Sequence, residues 1–132
     1  MFSHITVGTS DLAKSTFFYD AMLAQLGFIK RSVTPDGGPL SSCWINPNSP
    51  LPRFYVYEPL DGAAMSAGNG SMTAFIAPSE EAVRKAFTAA IKKGGTSVGD
   101  PGPRPKYGKG YYGAYLLDPD GNKIHIVYRG DI

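Results

Sequence analysis

The amino-acid sequence predicts an α+β fold in which two βαβββ modules form one cupped mixed sheet with helices outside. Three observations predict it. A pattern in the first half recurs about 68 residues later, apolar residues alternate along short segments at the period of strands, and one segment of each half has the helical period. The 132 residues suit a single domain. We expect module 1 at about 1–60, a linker at about 61–69 and module 2 at about 70–132.

The first strand of each module shows the alternation most clearly. His4 and Thr6 share one face of the first strand, whereas Ile5 and Val7 point to the other. A shift of 68 residues places the run 71–75 on the run 3–7. We therefore expect the bulky apolar residues to face a helix and the mixed residues to face the other way. We call this second face the cup face.

The two predicted helices are bounded by capping and terminating residues. The first begins near Ser10, a good N-cap, and ends at Gly27. The second begins at Ser79 and ends at Gly94–Gly95. Each helix can cover only one face of a four-stranded sheet, so the cup face of each module stays free for another use.

Three strand-like runs follow each helix, and a stretch rich in proline and glycine interrupts the second set. The runs are about 28–33, 41–45 and 54–58 in module 1 and about 96–98, 111–117 and 123–128 in module 2. The stretch 99–110 has neither period, so we predict a loop there. This loop could form a lid over the cup, with Arg104 or Lys106 pairing with an anionic group of a substrate.

The composition excludes several classes of function. The net charge is only +2 and there is no run of Lys and Arg, which argues against nucleic acid as a partner. No apolar stretch reaches the length of about 20 residues that a membrane span needs. Cys43 is the single cysteine, so an internal disulfide is excluded, and we expect a buried, inert thiol. With no signal-peptide pattern at the start, we expect a cytoplasmic protein.

Three segments of the chain match a known pattern, namely the opening run with its helix start (2–20), the start of module 2 (68–75) and the run from Gly110 to Ile124, which contains Asp-Pro-Asp-Gly-Asn. In these segments the sequence resembles the vicinal oxygen chelate superfamily of glyoxalases, bleomycin-resistance proteins and dioxygenases. The resemblance covers nearly the whole chain and implies the glyoxalase/bleomycin-resistance fold. The family includes lactoylglutathione lyases, extradiol dioxygenases and metal-free binding proteins, so the fold alone does not fix the function.

The resemblance also implies where metal ligands would lie. The first-strand position carries His4, as in metal-dependent members, but the fifth-strand position carries Met72 and the last-strand position carries His125, where Glu is usual. The fourth-strand position is Tyr55, with Tyr57 as the register alternative. His4 and His125 are therefore the predicted metal ligands, for zinc, nickel, iron or manganese, and neutral His125 is the predicted catalytic base.

The remaining predicted site residues would contact a small-molecule substrate or ligand. They share the cup face or its mouth, and they are Thr6, Tyr55, Tyr57, Met72, Arg104, Lys106, Tyr111 and Tyr112. Tyr111 and Tyr112 are neighbours in one strand, so one of them faces the cup and the other faces away.

Three functions compete. The first is a metal-dependent lyase or isomerase resembling lactoylglutathione lyase with an altered ligand set, which the paired histidines favour. The second is a metal-free binder that sequesters a small aromatic or antibiotic-like ligand, which the loss of the usual carboxylate favours. The third is a vestigial member kept for its oligomeric surface. The family resemblance also implies a homodimer, in which His4 of one chain could meet His125 of its partner.

Overall fold

The computed structural model describes residues 1–132, and each half has the predicted order of elements. Module 1 contains β1 (His4–Gly8), α1 (Leu12–Ala24), β2 (Ile29–Arg31), β3 (Ser41–Asn46) and β4 (Ser49–Tyr57). Module 2 contains β5 (Thr73–Ile76), α2 (Glu80–Lys92), β6 (Thr96–Pro103), a 3₁₀ turn (Pro105–Tyr107), β7 (Tyr111–Leu117) and β8 (Lys123–Arg129). Both halves are therefore βαβββ units.

The strands form two mixed sheets of four strands each. Sheet 1 has the order β1-β4-β3-β2 and sheet 2 has the order β5-β8-β7-β6. The pairs β1–β4 and β5–β8 are parallel, and the other pairs are antiparallel. The predicted fold class is confirmed, and no ladder of hydrogen bonds joins the two sheets within the chain.

The predicted N-cap is the observed one in module 2 and lies one residue before the observed one in module 1. Ser79 is the N-cap of α2, as predicted, and its hydroxyl accepts from the Ala82 N–H. The N-cap of α1 is Asp11 instead of Ser10. Ser10 is diverted because its N–H and hydroxyl both donate to Asp120, which lies in the turn between β7 and β8. Each helix has 13 residues, and neither is long and apolar enough to cross a membrane.

The prediction of a loop from residue 99 was wrong for its first part, because β6 continues to Pro103. β6 is an edge strand of sheet 2. An edge strand tolerates proline because only one side of it must supply hydrogen bonds to a neighbour. The pairing with β7 is irregular between Gly99 and Gly102, which hides the alternation expected of a strand. The remainder forms the 3₁₀ turn and a short connection to β7.

A single hydrophobic core lies between the helices and the sheets of both modules. It contains 18 buried residues drawn from α1, α2 and both sheets. Phe54 of sheet 1 and Phe75 of sheet 2 meet with ring centroids 5.0 Å apart, and α1 packs against α2. The predicted helix-facing residues thus serve one shared core, and the opposite, cup faces point away from it.

A buried network of hydrogen bonds connects the two modules. The Tyr19 hydroxyl of α1 donates to Asp118 Oδ2 at 2.5 Å, and the Asn122 side chain donates to the Gly8 carbonyl at 2.9 Å. Asn122 also donates to Asp118 through its backbone N–H and its side chain. Burial raises the pKa of Asp118, and these hydrogen bonds oppose that effect. The turn 118–122 therefore anchors module 2 on the junction between β1 and α1.

Candidate functional site

The cup faces of the two sheets have the same strand register. Thr6 of β1 pairs with Tyr55 of β4, and Ala74, 68 residues after Thr6, pairs with His125 of β8. Tyr55 is therefore the position in sheet 1 that corresponds to His125 in sheet 2, and Tyr57 lies one row further along the strand.

His125 lies on the cup face of sheet 2 with both ring nitrogens engaged. It is 2% exposed. Its Nδ1 lies 2.8 Å from the Ala114 carbonyl oxygen, and its Nε2 lies 2.8 Å from the Tyr111 hydroxyl. A carbonyl oxygen can only accept, so Nδ1 carries the proton and donates. In the neutral ring Nε2 then accepts from Tyr111.

The imidazole also lies parallel to the rings of two tyrosines. The Tyr115 ring lies parallel to it, with centroids 4.0 Å apart and an interplanar angle of 9°. The Tyr111 ring is also nearly parallel to the imidazole, with centroids 5.9 Å apart and an interplanar angle of 17°. Gly113 lies beneath the stack, and a Cβ built on it would come within 2.6 Å of His125 Cε1. Only glycine leaves room for the imidazole in this position.

The surroundings of His125 keep it neutral. Burial lowers its pKa, the Ala114 carbonyl raises it, and the nearby charges of Arg104 and Lys123 lower it further. A neutral imidazole is the form that a general base needs. However, Nε2 is the nitrogen without a proton, and the Tyr111 hydroxyl already covers it. A substrate proton or a metal would reach Nε2 only after displacing Tyr111.

Cationic side chains surround the stack. The Arg104 guanidinium lies 5.8 Å and the Lys123 ammonium 5.3 Å from the centroid of the Tyr115 ring. The Arg129 guanidinium lies 5.1 Å from the Tyr111 centroid and pairs with Asp131 at 2.7 Å. The aromatic stack therefore has cations at both ends.

The cup face of sheet 1 is more open. His4 is exposed, makes an edge contact with Tyr55 at 5.6 Å, and has the neighbouring Ser3 hydroxyl 3.1 Å from its Nδ1. Tyr55 and Tyr57 lie 5.7 Å apart. Cys43 is buried, as predicted, and burial raises the pKa of its thiol.

A cavity of about 630 Å³ lies at the end of the sheet 1 cup face. Thr6 and Tyr57 contribute to its wall, and Met65 and Ser66 of the connection between modules close one side. The cavity lining includes Asp36, Glu58 and Asp61 and does not include His4 or Tyr55. Thr6 and Tyr57 thus share a cavity that neither predicted metal ligand reaches.

The remaining predicted site residues lie apart from His125. Met72 precedes β5 and is 44% exposed. Lys106 is exposed in the 3₁₀ turn, with its ammonium 5.1 Å from the Tyr107 centroid. Tyr112 lies on the helix-facing side of β7, where it packs against the core and its hydroxyl accepts from Arg84 at 3.3 Å. Of the pair in β7, Tyr111 is therefore the one on the cup face.

The side chains of this chain do not form a metal centre. His4 and His125 belong to different sheets, and neither histidine makes a hydrogen bond or ring contact with the other. No group of three or more His, Cys, Asp or Glu side chains could hold a metal ion. A metal would also have to replace Tyr111 at the free lone pair of His125. The donor set within one chain therefore does not fit a bound divalent metal.

Sequence reasoning missed four residues that shape this site. Tyr115, Lys123 and Arg129 lie on the cup face, and Gly113 lies below the imidazole. Alternation along β7 and β8 could have found the first three, because residues two apart in a strand share a face. The role of Gly113 depends on a contact with the neighbouring strand, which no local pattern reveals.

Comparisons with known proteins agree with the observed fold. A family model described as the Glyoxalase/Bleomycin resistance protein/Dioxygenase superfamily matches residues 1–126. A glyoxalase/bleomycin resistance protein from Albidiferax ferrireducens T118 is 38% identical, with 98% of each chain covered and a TM-score of 0.82. A glyoxalase-related enzyme from Fulvimarina pelagi is 19% identical, with 97% of this chain and 87% of that one covered and a TM-score of 0.71.

A glyoxalase I mutant from Zea mays is 24% identical, with 97% of this chain and 46% of that one covered and a TM-score of 0.70. The similarities to the Fulvimarina pelagi and Zea mays proteins support the fold alone. A comparison with curated proteins found no match.

Proposed function

This chain belongs to the Glyoxalase/Bleomycin resistance protein/Dioxygenase superfamily, and we propose that it binds a small aromatic molecule on the cup face of sheet 2 without a metal. The observation that carries the proposal is the state of His125. Its two nitrogens are hydrogen-bonded, and its ring is stacked on Tyr115 and nearly parallel to Tyr111. In this state His125 organises an aromatic surface and has no lone pair free for a metal.

The exposed parts of the stack supply the contacts for such a ligand. Tyr111 and Tyr115 are half-buried, so each ring keeps part of its surface accessible. Burial raises the pKa of the Tyr115 hydroxyl, which therefore stays protonated near neutral pH and can donate a hydrogen bond. Aromatic rings with a few polar groups are typical of small-molecule sites.

A metal-dependent lyase or isomerase is the second candidate. It is favoured by one observation, that both histidines of the chain lie on cup faces. Because they lie in different sheets of one chain, such a site would need His4 of one protomer beside His125 of its partner, and Tyr111 would have to move. The lack of a carboxylate at the predicted ligand positions leaves a proton-transfer reaction without its usual base.

We also propose a cytoplasmic homodimer. The single, buried cysteine suits a reducing compartment. Exposed apolar side chains lie at or beside the edge strands β1 and β5, namely Phe2, Met72 and Ile76, at 74%, 44% and 62% exposure. Burying them against a second copy would remove this apolar surface from water. Light scattering coupled to size exclusion tests this proposal, and a monomer at all concentrations would contradict it.

The binding proposal is tested with two planar probes, 2-naphthamide and 2-naphthoate, by isothermal titration of untagged protein stripped with chelator. We expect at least one probe to bind saturably. Tyr115→Ala should abolish this binding, and Tyr57→Ala on sheet 1 is the matched control that should retain it. No binding of either probe would contradict the proposal. Binding that appears only after zinc, nickel, iron or manganese is restored would favour the metal-dependent candidate.

A further inference from the structure

The charges of the strands are strongly biased toward one sign. The eight strands carry five cationic side chains and a single carboxylate; the cations are Lys30, Arg31, Arg53, Lys123 and Arg129, and the carboxylate is Asp100. The whole chain has a net charge of only +2. The acidic side chains are therefore concentrated in helices, turns and loops, and the strands carry a net positive charge.

Two cations, one in β8 and one directly after β6, lie against the same ring without a carboxylate partner. Arg104 and Lys123 both lie over Tyr115. The ion pairs of the structure are Lys85–Glu81 and Arg129–Asp131, so neither Arg104 nor Lys123 is neutralised. Two like charges near one ring repel each other, and an anion between them would offset this repulsion.

The backbone holds Arg104 in this position. Its Nη2 donates to the Asp100 carbonyl at 2.8 Å, and its Nη1 lies 3.4 Å from the Pro103 carbonyl. Both acceptors are uncharged and belong to the irregular edge strand β6, so the guanidinium is oriented while its charge remains available. A preorganised guanidinium loses less side-chain entropy when it binds a planar anion.

We infer that the natural ligand carries a negatively charged group, of the carboxylate, sulfonate or phosphonate type, which binds between Arg104 and Lys123 beside the Tyr115 ring. This inference rests on the proposed function, because the aromatic part of the ligand would contact the stack described above. Arg104 is a predicted substrate-binding residue. Lys123, and not Lys106, is the second cation that would contact the anionic group, because the Lys106 ammonium lies over Tyr107 and not over Tyr115.

The two naphthalene probes test the inference because they share a ring system and differ in charge. At low ionic strength we expect 2-naphthoate to bind about tenfold more tightly than 2-naphthamide, as charge-assisted hydrogen bonds imply. Arg104→Gln and Lys123→Gln should each reduce this ratio, and the double variant should bring it close to one. Lys109→Gln removes one exposed charge from the same loop and should leave the ratio unchanged.

The outcomes separate the two proposals. Equal affinities for both probes would overturn the inference and leave the binding function intact. A preference for 2-naphthoate that survives in the double variant would also overturn it, because the charge would then be recognised elsewhere. If neither probe binds, the proposed function fails, and the inference fails with it. Folding of each variant is checked by its thermal unfolding curve.

Discussion

The two cup faces follow one strand register and yet differ in how tightly their central residue is held. In sheet 2, His125 is 2% exposed, hydrogen-bonded at both nitrogens and stacked on Tyr115. In sheet 1 the corresponding Tyr55 is half-buried and meets an exposed His4 edge-on. The repeat thus places the rows of side chains, and the neighbours in each row decide whether a residue is fixed or free.

Two positions of the neighbouring strand differ between the faces: Tyr115 pairs with His125 where Cys43 pairs with Tyr55, and Gly113 lies where sheet 1 has Ser41. Gly113 pairs with Val127 beside the His125 row, and Ser41 pairs with Tyr57 at the corresponding place in sheet 1. Without a Cβ at residue 113 the imidazole can lie close to the β7 backbone. Sheet 1 carries a side chain at this position and has no comparable stack.

The largest expected effect comes from filling this space. Gly113→Ala would put a Cβ 2.6 Å from His125 Cε1, and the imidazole would have to move off Tyr115. We expect a loss of about 1–3 kcal/mol in the free energy of unfolding, as for overpacked cores. The matched variant Ser41→Ala should change it by less than about 0.5 kcal/mol. Urea denaturation measures both, and equal effects would remove the distinction between the faces.

A smaller effect is expected from removing one hydroxyl. Tyr111→Phe deletes the donor to His125 Nε2 and leaves a buried acceptor without a partner. We expect a loss of about 1 kcal/mol in stability. Tyr57→Phe, in sheet 1, removes a hydroxyl that makes no hydrogen bond within the protein and should be close to neutral. Chemical denaturation of both variants measures their free energies of unfolding. An unchanged value for Tyr111→Phe would mean that the His125–Tyr111 hydrogen bond contributes nothing to stability.

The smallest effect is on the pH dependence of stability. The pKa of His125 is lowered in the folded state. Near and below the ordinary histidine pKa of about 6.5, the unfolded chain therefore binds more protons than the folded chain. Stability from this residue is therefore complete above about pH 6.5 and declines as the pH falls toward the lowered pKa. His125→Asn should flatten this decline, whereas His4→Gln should preserve it. Melting temperatures between pH 5 and pH 8 measure the slope, and identical slopes in wild type and His125→Asn would contradict the assignment.

Local patterns were sufficient for the architecture because burial imposes them directly. Ile5, Val7, Phe54 and Ile126 alternate with residues of the cup face, and each of them contributes to or packs against the shared core. The N-cap of α1 was predicted one residue too early, because Ser10 makes a long-range contact to Asp120 instead of capping the helix. The end of β6 was missed because an edge strand needs no regular alternation and accepts proline.

The chemistry of the site was less predictable than its position. Alternation placed His125 on the cup face, and the structure agrees. Whether its nitrogens are free depends on Tyr111 and Ala114 of the neighbouring strand, and the sequence contains no local signal for these contacts. The prediction that His4 and His125 bind a metal stays a prediction, and so does the catalytic role of His125.

Nitrogen-15 NMR of the histidine side chains tests the central claim most directly, and with only two histidines in the chain the spectrum is simple. His4→Gln assigns the signals. At pH 7.5 our account predicts that His125 carries its proton on Nδ1 and that its Nε2 signal stays unchanged when equimolar zinc is added. A zinc-dependent shift of Nε2, with zinc retained after dialysis, would contradict a metal-free aromatic site and restore His125 as a metal ligand.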